Sequence, residues 1–291
     1  MTPTPRVIVL GASGTLGGRI VDLLRRELPE VRVVAAGRHP ERLDTPEVRR
    51  LDLDDPDGFP SALVGARALV HAAGPFDHDG QPLVAACLRA GVDYLDLAED
   101  PAFLARVRAS AQASGTRSRI VPGCSTVPGL VALLAHRFER EPSLASIDAY
   151  LCLGSRNPVS RGLLYGLLRP IGSPAPHGTR WFSRLVRFRY RDGRERSLGR
   201  YPLALEKGVE LSGRPIPLRL FVGFDRALLG RALVRLGRVL PSLSGEALAR
   251  LVGRMLPLAR AWRPLGSPEG RLALVALDPA NAEIARLEIR A

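Results

Sequence analysis

At 291 residues, 46% hydrophobic and 24% charged, the chain has ordinary globular composition and length for one large domain or two moderate ones. No apolar run approaches the roughly 18–20 uninterrupted residues that a membrane-spanning helix needs. The formal charge of +13 is uneven: residues 1–150 carry 17 basic and 19 acidic side chains, residues 151–291 carry 25 and 10, so the halves have different work.

In chain order, Arg6–Leu10 predicts a strand, Leu16–Leu28 a helix and Val31–Ala36 a second strand. Val48–Leu51 is a shorter strand, Phe59–Val64 a brief helix and Ala68–Ala72 a strand. Gln81–Ala90 then reads as helix, Val92–Leu95 as strand, Pro101–Ser114 as helix and Arg119–Val121 as strand. Parallel strands need long crossovers and helices supply them, so the alternation predicts an α/β, doubly wound parallel sheet of Rossmann type.

Gly11, Gly14 and Gly17 fall between the first strand and first helix with GxxGxxG spacing. Gly11 allows a tight turn, Gly14 close approach to a pyrophosphate and Gly17 close helix–sheet packing. The helix opening at Thr15 and Leu16 offers unpaired N–H groups and a positive dipole end to phosphates. A glycine-rich turn without ligand is the bland alternative. At the end of the second strand, Gly37 and Arg38 stand where an NAD site usually carries an acid. Arginine suits a 2′-phosphate, with Ser13 as a further donor, so NADP is expected rather than NAD; a solvated surface arginine is the alternative. Asp52 and Leu53 are placed to flank the adenine.

The only lysine, Lys207, has Leu203 four residues before it, so no Tyr-x-x-x-Lys pair is present. Ala73-Gly74-Pro75-Phe76, then a helix with Cys87, then Gly91, Tyr94 and Asp96, then Gly123 and Pro128 follow one another in order. In that order and spacing the chain resembles the saccharopine dehydrogenase-like family, especially its saccharopine reductase-type members. The resemblance implies a nucleotide domain followed by an α+β substrate domain, hydride transfer in the cleft between them, and Ala73–Phe76 near the nicotinamide ribose. Two motifs depart from the family. Ser125 replaces the acid of its G-x-D-x-x-P turn, and Ala98–Glu99 replaces Gly-Glu, which argues against saccharopine itself as substrate.

In the second half, Pro128–Glu139 predicts a linking helix and Ile147–Leu153 a strand. Arg184–Leu198 alternates apolar residues with arginine around Asp192–Gly193, a hairpin signal. Arg226–Leu240 and Ala247–Leu256 read as basic amphipathic helices, Arg231, Arg235 and Arg238 on one face and Leu229, Leu233, Leu236 and Leu240 on another. Such helices lie on an anionic membrane surface, line an entrance for a long substrate, or pack on a sheet with their arginines solvated. Strands are expected at Arg271–Leu277 and Glu283–Arg290. Aromatic residues are only 5% of the chain, too few to favour nucleic-acid stacking.

The expected boundaries are 1–128 for the cofactor domain and 129–291 for the substrate and dimerisation domain. Tyr94, Asp96, Glu99 and Cys124 are candidates to face a substrate. No catalytic residue is assigned, because water or substrate can supply the proton in hydride transfer. His71, within a strand, reads as a core histidine. Cys87, Cys124 and Cys152 form no CxxC pair or zinc pattern, so no metal is expected; without a charged apolar leader before Val7, the expected compartment is cytoplasmic. The expected function is NADP-dependent hydride transfer to or from a small, anionic or lipid-like molecule. A non-catalytic NADP(H)-binding or membrane-surface regulatory protein is the alternative. Peripheral membrane contact and a homodimer stay open.

Overall fold

Residues Arg6–Leu10 and Ala68–His71 are short apolar runs that pair in parallel, and the rest of the first sheet is built outward from them. The computed structural model describes residues 4–112, 117–205 and 208–290, in two compact units, Met1–Thr126 and Val127–Ala291. The first unit runs β1 (Arg6–Leu10), α1 (Thr15–Glu27), β2 (Arg32–Gly37), β3 (Val48–Arg50), α2 (Phe59–Leu63) and β4 (Ala68–His71). It continues with α3 (Gln81–Ala90), β5 (Asp93–Asp96), α4 (Pro101–Gln112) and β6 (Ile120–Val121). The sheet order is β3-β2-β1-β4-β5-β6 with every pairing parallel, the doubly wound Rossmann order. Its reversal point lies between β1 and β4.

Sequence accounts for this locally. β1 and β2 are β-branched and buried, and α1 turns Gly17 and Val21 inward. Val21 joins Val9, Ala12, Val33 and Ala35 in one cluster, sealed at its edge by Ile20 and Leu24. Burying each such aliphatic side chain contributes roughly 1.5–3 kcal/mol. Ser114, expected at the end of α4, lies outside the described residues, as does Lys207.

The second unit contains α5 (Val131–Ala135), β7 (Ser146–Leu153), α6 (Arg161–Leu168), β8 (Leu185–Arg189), β9 (Glu195–Tyr201), β10 (Val209–Leu211) and β11 (Arg214–Ile216). It ends with β12 (Leu218–Phe224), α7 (Ala227–Leu236), α8 (Gly245–Trp262), β13 (Arg271–Leu277) and β14 (Glu283–Arg290). Its mixed sheet has the order β14-β13-β7-β12-β9-β8, with only β7 and β12 parallel. This unit is α+β. Alternate residues divide the sheet faces. Ile147, Leu220 and Leu274 pack under helical residues Leu168, Leu233, Leu248 and Val252. On the other face Tyr150 stacks on Phe188 at 3.9 Å, and the Arg286 guanidinium lies 4.9 Å above the Phe188 ring.

The structure corrects several expectations. The linking helix over 128–139 is broken into a wide turn at Thr126–Leu130, α5, and a tight turn at His136–Phe138. α7 stops at Leu236, while α8 runs from Gly245 to Trp262, past Pro257. Proline removes one helical hydrogen bond, a loss that the turns on either side tolerate here. α6 and β12 had no counterpart in the expected elements. The hairpin turn at Asp192–Gly193 is present, Gly193 taking φ +81°, which a side chain would disfavour. α7 and α8 pack by their apolar faces and leave Arg231, Arg235, Arg250 and Arg254 exposed.

Leu274→Ala, at a position with no solvent exposure, is expected to destabilise the protein by about 2–5 kcal/mol. Leu258→Ala, on the outer face of α8, is expected to cost about 0.5 kcal/mol or less, both read by urea unfolding.

Candidate functional site

The first site element is a close approach of backbone to backbone. Gly11 takes φ +84°, and a Cβ there would stand 2.7 Å from the Ala73 nitrogen. A Cβ on Gly17 would stand 2.1 Å from the Gly11 carbonyl oxygen. Neither position has room for a methyl group. The glycine loop after β1 is thereby pressed against the Ala73–Phe76 loop after β4, on either side of the sheet's reversal point. Open parallel sheets bind ligands at this carboxyl edge. Gly14 is the N-cap of α1 and supplies no side-chain cap, while its own N–H donates to the Gly11 carbonyl at 2.9 Å. The N–H groups of Thr15, Leu16 and Gly17 therefore begin the helix without a side-chain acceptor, and the dipole makes this end positive. Ser13 is exposed beside them.

Arg38 follows β2, exposed, with no hydrogen bond or ion pair to the described residues. A Cβ on neighbouring Gly37 would meet nothing within 4 Å, so the space over this strand end is open. Asp52 and Leu53 follow β3 and are half-buried. The Asp52 carboxylate accepts the Asp54 N–H at 3.3 Å and lies 3.5 Å from Arg50, so local partners already hold it.

Phe76 is fixed by ring contacts, its centroid 5.0 Å from His71 and 5.2 Å from Phe103. His78 joins the cluster and lies 3.2 Å from the Pro75 carbonyl oxygen through Nδ1. His71 is wholly buried, with Nδ1 3.0 Å from the Tyr94 hydroxyl. Burial, with His78 nearby, lowers its pKa to about 3, so the ring is neutral. His71 thus supports the loop as a core residue. Sequence reasoning did not single out His78 and Phe103; a cluster assembled from three chain segments leaves no local pattern.

At the β5 and β6 ends, Tyr94 and Asp96 are buried. Asp96 Oδ1 accepts N–H bonds from Ala98 at 2.9 Å and Gly123 at 2.8 Å, tying the two loops together. Burial raises the Asp96 carboxyl while these N–H groups and Tyr94 oppose the rise. Cys124 is exposed, its thiol 3.2 Å from the Val121 carbonyl oxygen and raised by partial burial. Glu99 is exposed to solvent, and the atoms crowded around its carboxyl raise it to about 7. Its hydrogen bond with Ser125 pulls the other way. Among the described residues no group of three His, Cys, Asp or Glu side chains is arranged to hold a metal.

A family model described as the saccharopine dehydrogenase NADP binding domain matches residues 7–118. Over this first unit the chain is similar to the saccharopine dehydrogenase-like family. The cofactor this assigns is NADP, and the glycine cradle, bare helix start and unpaired Arg38 fit it. An Arabidopsis thaliana protein named "probable mitochondrial saccharopine dehydrogenase-like oxidoreductase" is 29% identical over 184 residues, 54% of this chain and 40% of that protein. A protein of Mycobacterium tuberculosis named "trans-acting enoyl reductase" is 30% identical over 141 residues, 43% of this chain and 34% of its own length. The chain spans two-fifths or less of the length of these relatives. A solved Rossmann-fold NAD(P)-binding family protein from Shigella flexneri is 17% identical, covering 41% of this chain and 66% of that one at a TM-score of 0.33. The Rossmann assignment rests instead on the strand order. Both relatives carry reductase or oxidoreductase names.

Gly17→Ala is expected to cost at least about 2 kcal/mol and to weaken NADPH binding tenfold or more, because a backbone carbonyl blocks the new methyl. Gly37→Ala is expected to leave stability within about 0.5 kcal/mol. Urea unfolding and a fluorescence titration with NADPH read both.

Proposed function

We propose that the protein is an NADPH-dependent reductase of a polarised double bond, C=C ahead of C=O or C=N, in a small anionic or lipid-like substrate. The observation that carries this reading is the bare, positive start of α1 pressed against the Ala73–Phe76 loop, with unpaired Arg38 at the neighbouring strand end. In this reading the Gly11–Gly17 amides hold the pyrophosphate, Arg38 and Ser13 the 2′-phosphate, and Ala73–Phe76 the nicotinamide end. Asp52 and Leu53 flank the adenine, and residues 129–291 hold the substrate and any second copy. The enoyl reductase named among the relatives favours C=C, and the basic second half favours an anionic or acyl-chain substrate. Bound NADPH supplies the hydride. Glu99 supplies the proton, because a carboxyl raised to about 7 is partly protonated at neutral pH and its edge meets solvent. Ser125 orients it. Cys124, Tyr94 and Asp96 hold the surrounding loops in place.

NADPH oxidation with trans-2-enoyl, ketone and imine substrates tests the reading, with enoyl thioesters expected to be reduced fastest. Tight NADPH binding without turnover on any of them would leave a non-catalytic NADP(H)-binding protein.

The acid is competent below its pKa and lost above it. kcat is therefore expected to fall as pH rises through about 7. Glu99→Gln is expected to lower kcat about 100-fold, flatten that profile and leave NADPH affinity unchanged. A profile unchanged in Glu99→Gln would assign the proton to water or substrate.

A further inference from the structure

The helical layer of the second unit has an outer face that the proposed reaction does not use. α8 buries Leu248 and Val252 against the sheet, so its opposite side faces solvent. Arg250, Arg254, Leu258 and Trp262 recur four residues apart and lie along one stripe of that side. Leu258 is 64% exposed, Trp262 62% and nearby Leu265 61%. A tryptophan and two leucines so exposed along one helix end are not scattered surface residues. Residues 226–265 hold eight arginines and a single acid, Glu246. The guanidinium groups of Arg231, Arg235, Arg238, Arg250, Arg254 and Arg260 make no ion pair or hydrogen bond with the described residues.

We infer that this face docks on an anionic lipid surface, with Leu258, Trp262 and Leu265 entering the interface and the arginines meeting lipid phosphates. Three observations choose this occupant. The stripe joins unpaired cations to a contiguous apolar end, the division found in interfacial helices. Trp262 ends the helix, with its ring in the solvent-facing stripe, and tryptophan favours the headgroup boundary. A second copy related by a twofold axis would set arginine against arginine, with only Glu246 to offset it. Duplex DNA would use the arginines and leave both leucines without a role. The helix is not a membrane span: no helix of the described residues is long and apolar enough to cross a bilayer. The contact lies on the surface.

The test uses the full chain with vesicles of phosphatidylcholine, alone or with a quarter phosphatidylglycerol. Co-sedimentation is expected with the anionic vesicles and to be about tenfold or more weaker without phosphatidylglycerol. Trp262 emission is expected to shift to the blue on binding, while buried Trp181 stays unchanged. Arg250→Glu/Arg254→Glu is expected to lower vesicle affinity about 10- to 100-fold and Leu258→Gln/Trp262→Ser about tenfold or more. Both variants are expected to keep their melting temperature and NADPH affinity. No sedimentation at about 2 mM anionic lipid would overturn the inference, as would binding that both variants leave undiminished. Tighter binding to a short DNA duplex, or a wild-type dimer that Leu258→Gln/Trp262→Ser converts to monomer, would assign the face to another occupant.

Discussion

The lack of any room for a side chain at Gly11 and Gly17 is the constraint on which the first unit depends. With a carbonyl 2.1 Å from where a Gly17 Cβ would stand, α1 can approach its strand only as glycine permits. That approach points the first amides of α1 over the carboxyl edge of the sheet. It also presses the loop after β1 onto the loop after β4, where Phe76, His71 and Phe103 lock ring against ring. The parallel pairing of Leu10 with His71 carries the same alignment into the sheet. Cofactor chemistry and fold stability therefore share one contact.

Charge is used differently in the two units. The first unit leaves Arg38 unpaired among the described residues at a strand end and begins α1 with bare backbone amides at the positive end of its dipole. The second unit consumes part of its arginine in the sheet. Arg271 meets Asp192 and Glu269 and lies 5.7 Å over the Tyr190 ring, and Arg286 meets Glu283 and Glu288 while covering Phe188. These guanidiniums roof a sheet face that has apolar rings beneath it. The arginines of α7 and α8 have no such partners among the described residues. The excess of basic residues in the second half thus divides into a structural set and a free one.

Much of the first unit was legible in the sequence because its signals are local. Four-residue apolar runs, GxxGxxG between strand and helix, and Ala73–Phe76 after a strand each announce themselves within a dozen residues. Arg38 was readable as the residue standing where an acid is usual. The second unit was less legible. β12 sits in the middle of its sheet, paired with both β7 and β9, yet Arg219 and Gly223 interrupt its apolar run. The alternation of Leu218, Leu220, Val222 and Phe224 was the available signal, and it matches the face packed under the helices. Pro257 concealed the second half of α8, and with it the exposed position of Trp262. Glu99 and Ser125 lie 26 residues apart in sequence. Only the parallel adjacency of β5 and β6 brings their loops together, and no local spacing encodes that.

The most direct test of the account is a fluorescence titration with NADPH and NADH, on the wild-type protein and on Arg38→Ala. The account predicts that the wild type favours NADPH by about 10- to 100-fold, the range of a charge-assisted phosphate contact. In Arg38→Ala that preference is predicted to collapse while NADH affinity holds. Equal affinity for the two cofactors in the wild type, or a preference that survives the substitution, would contradict it.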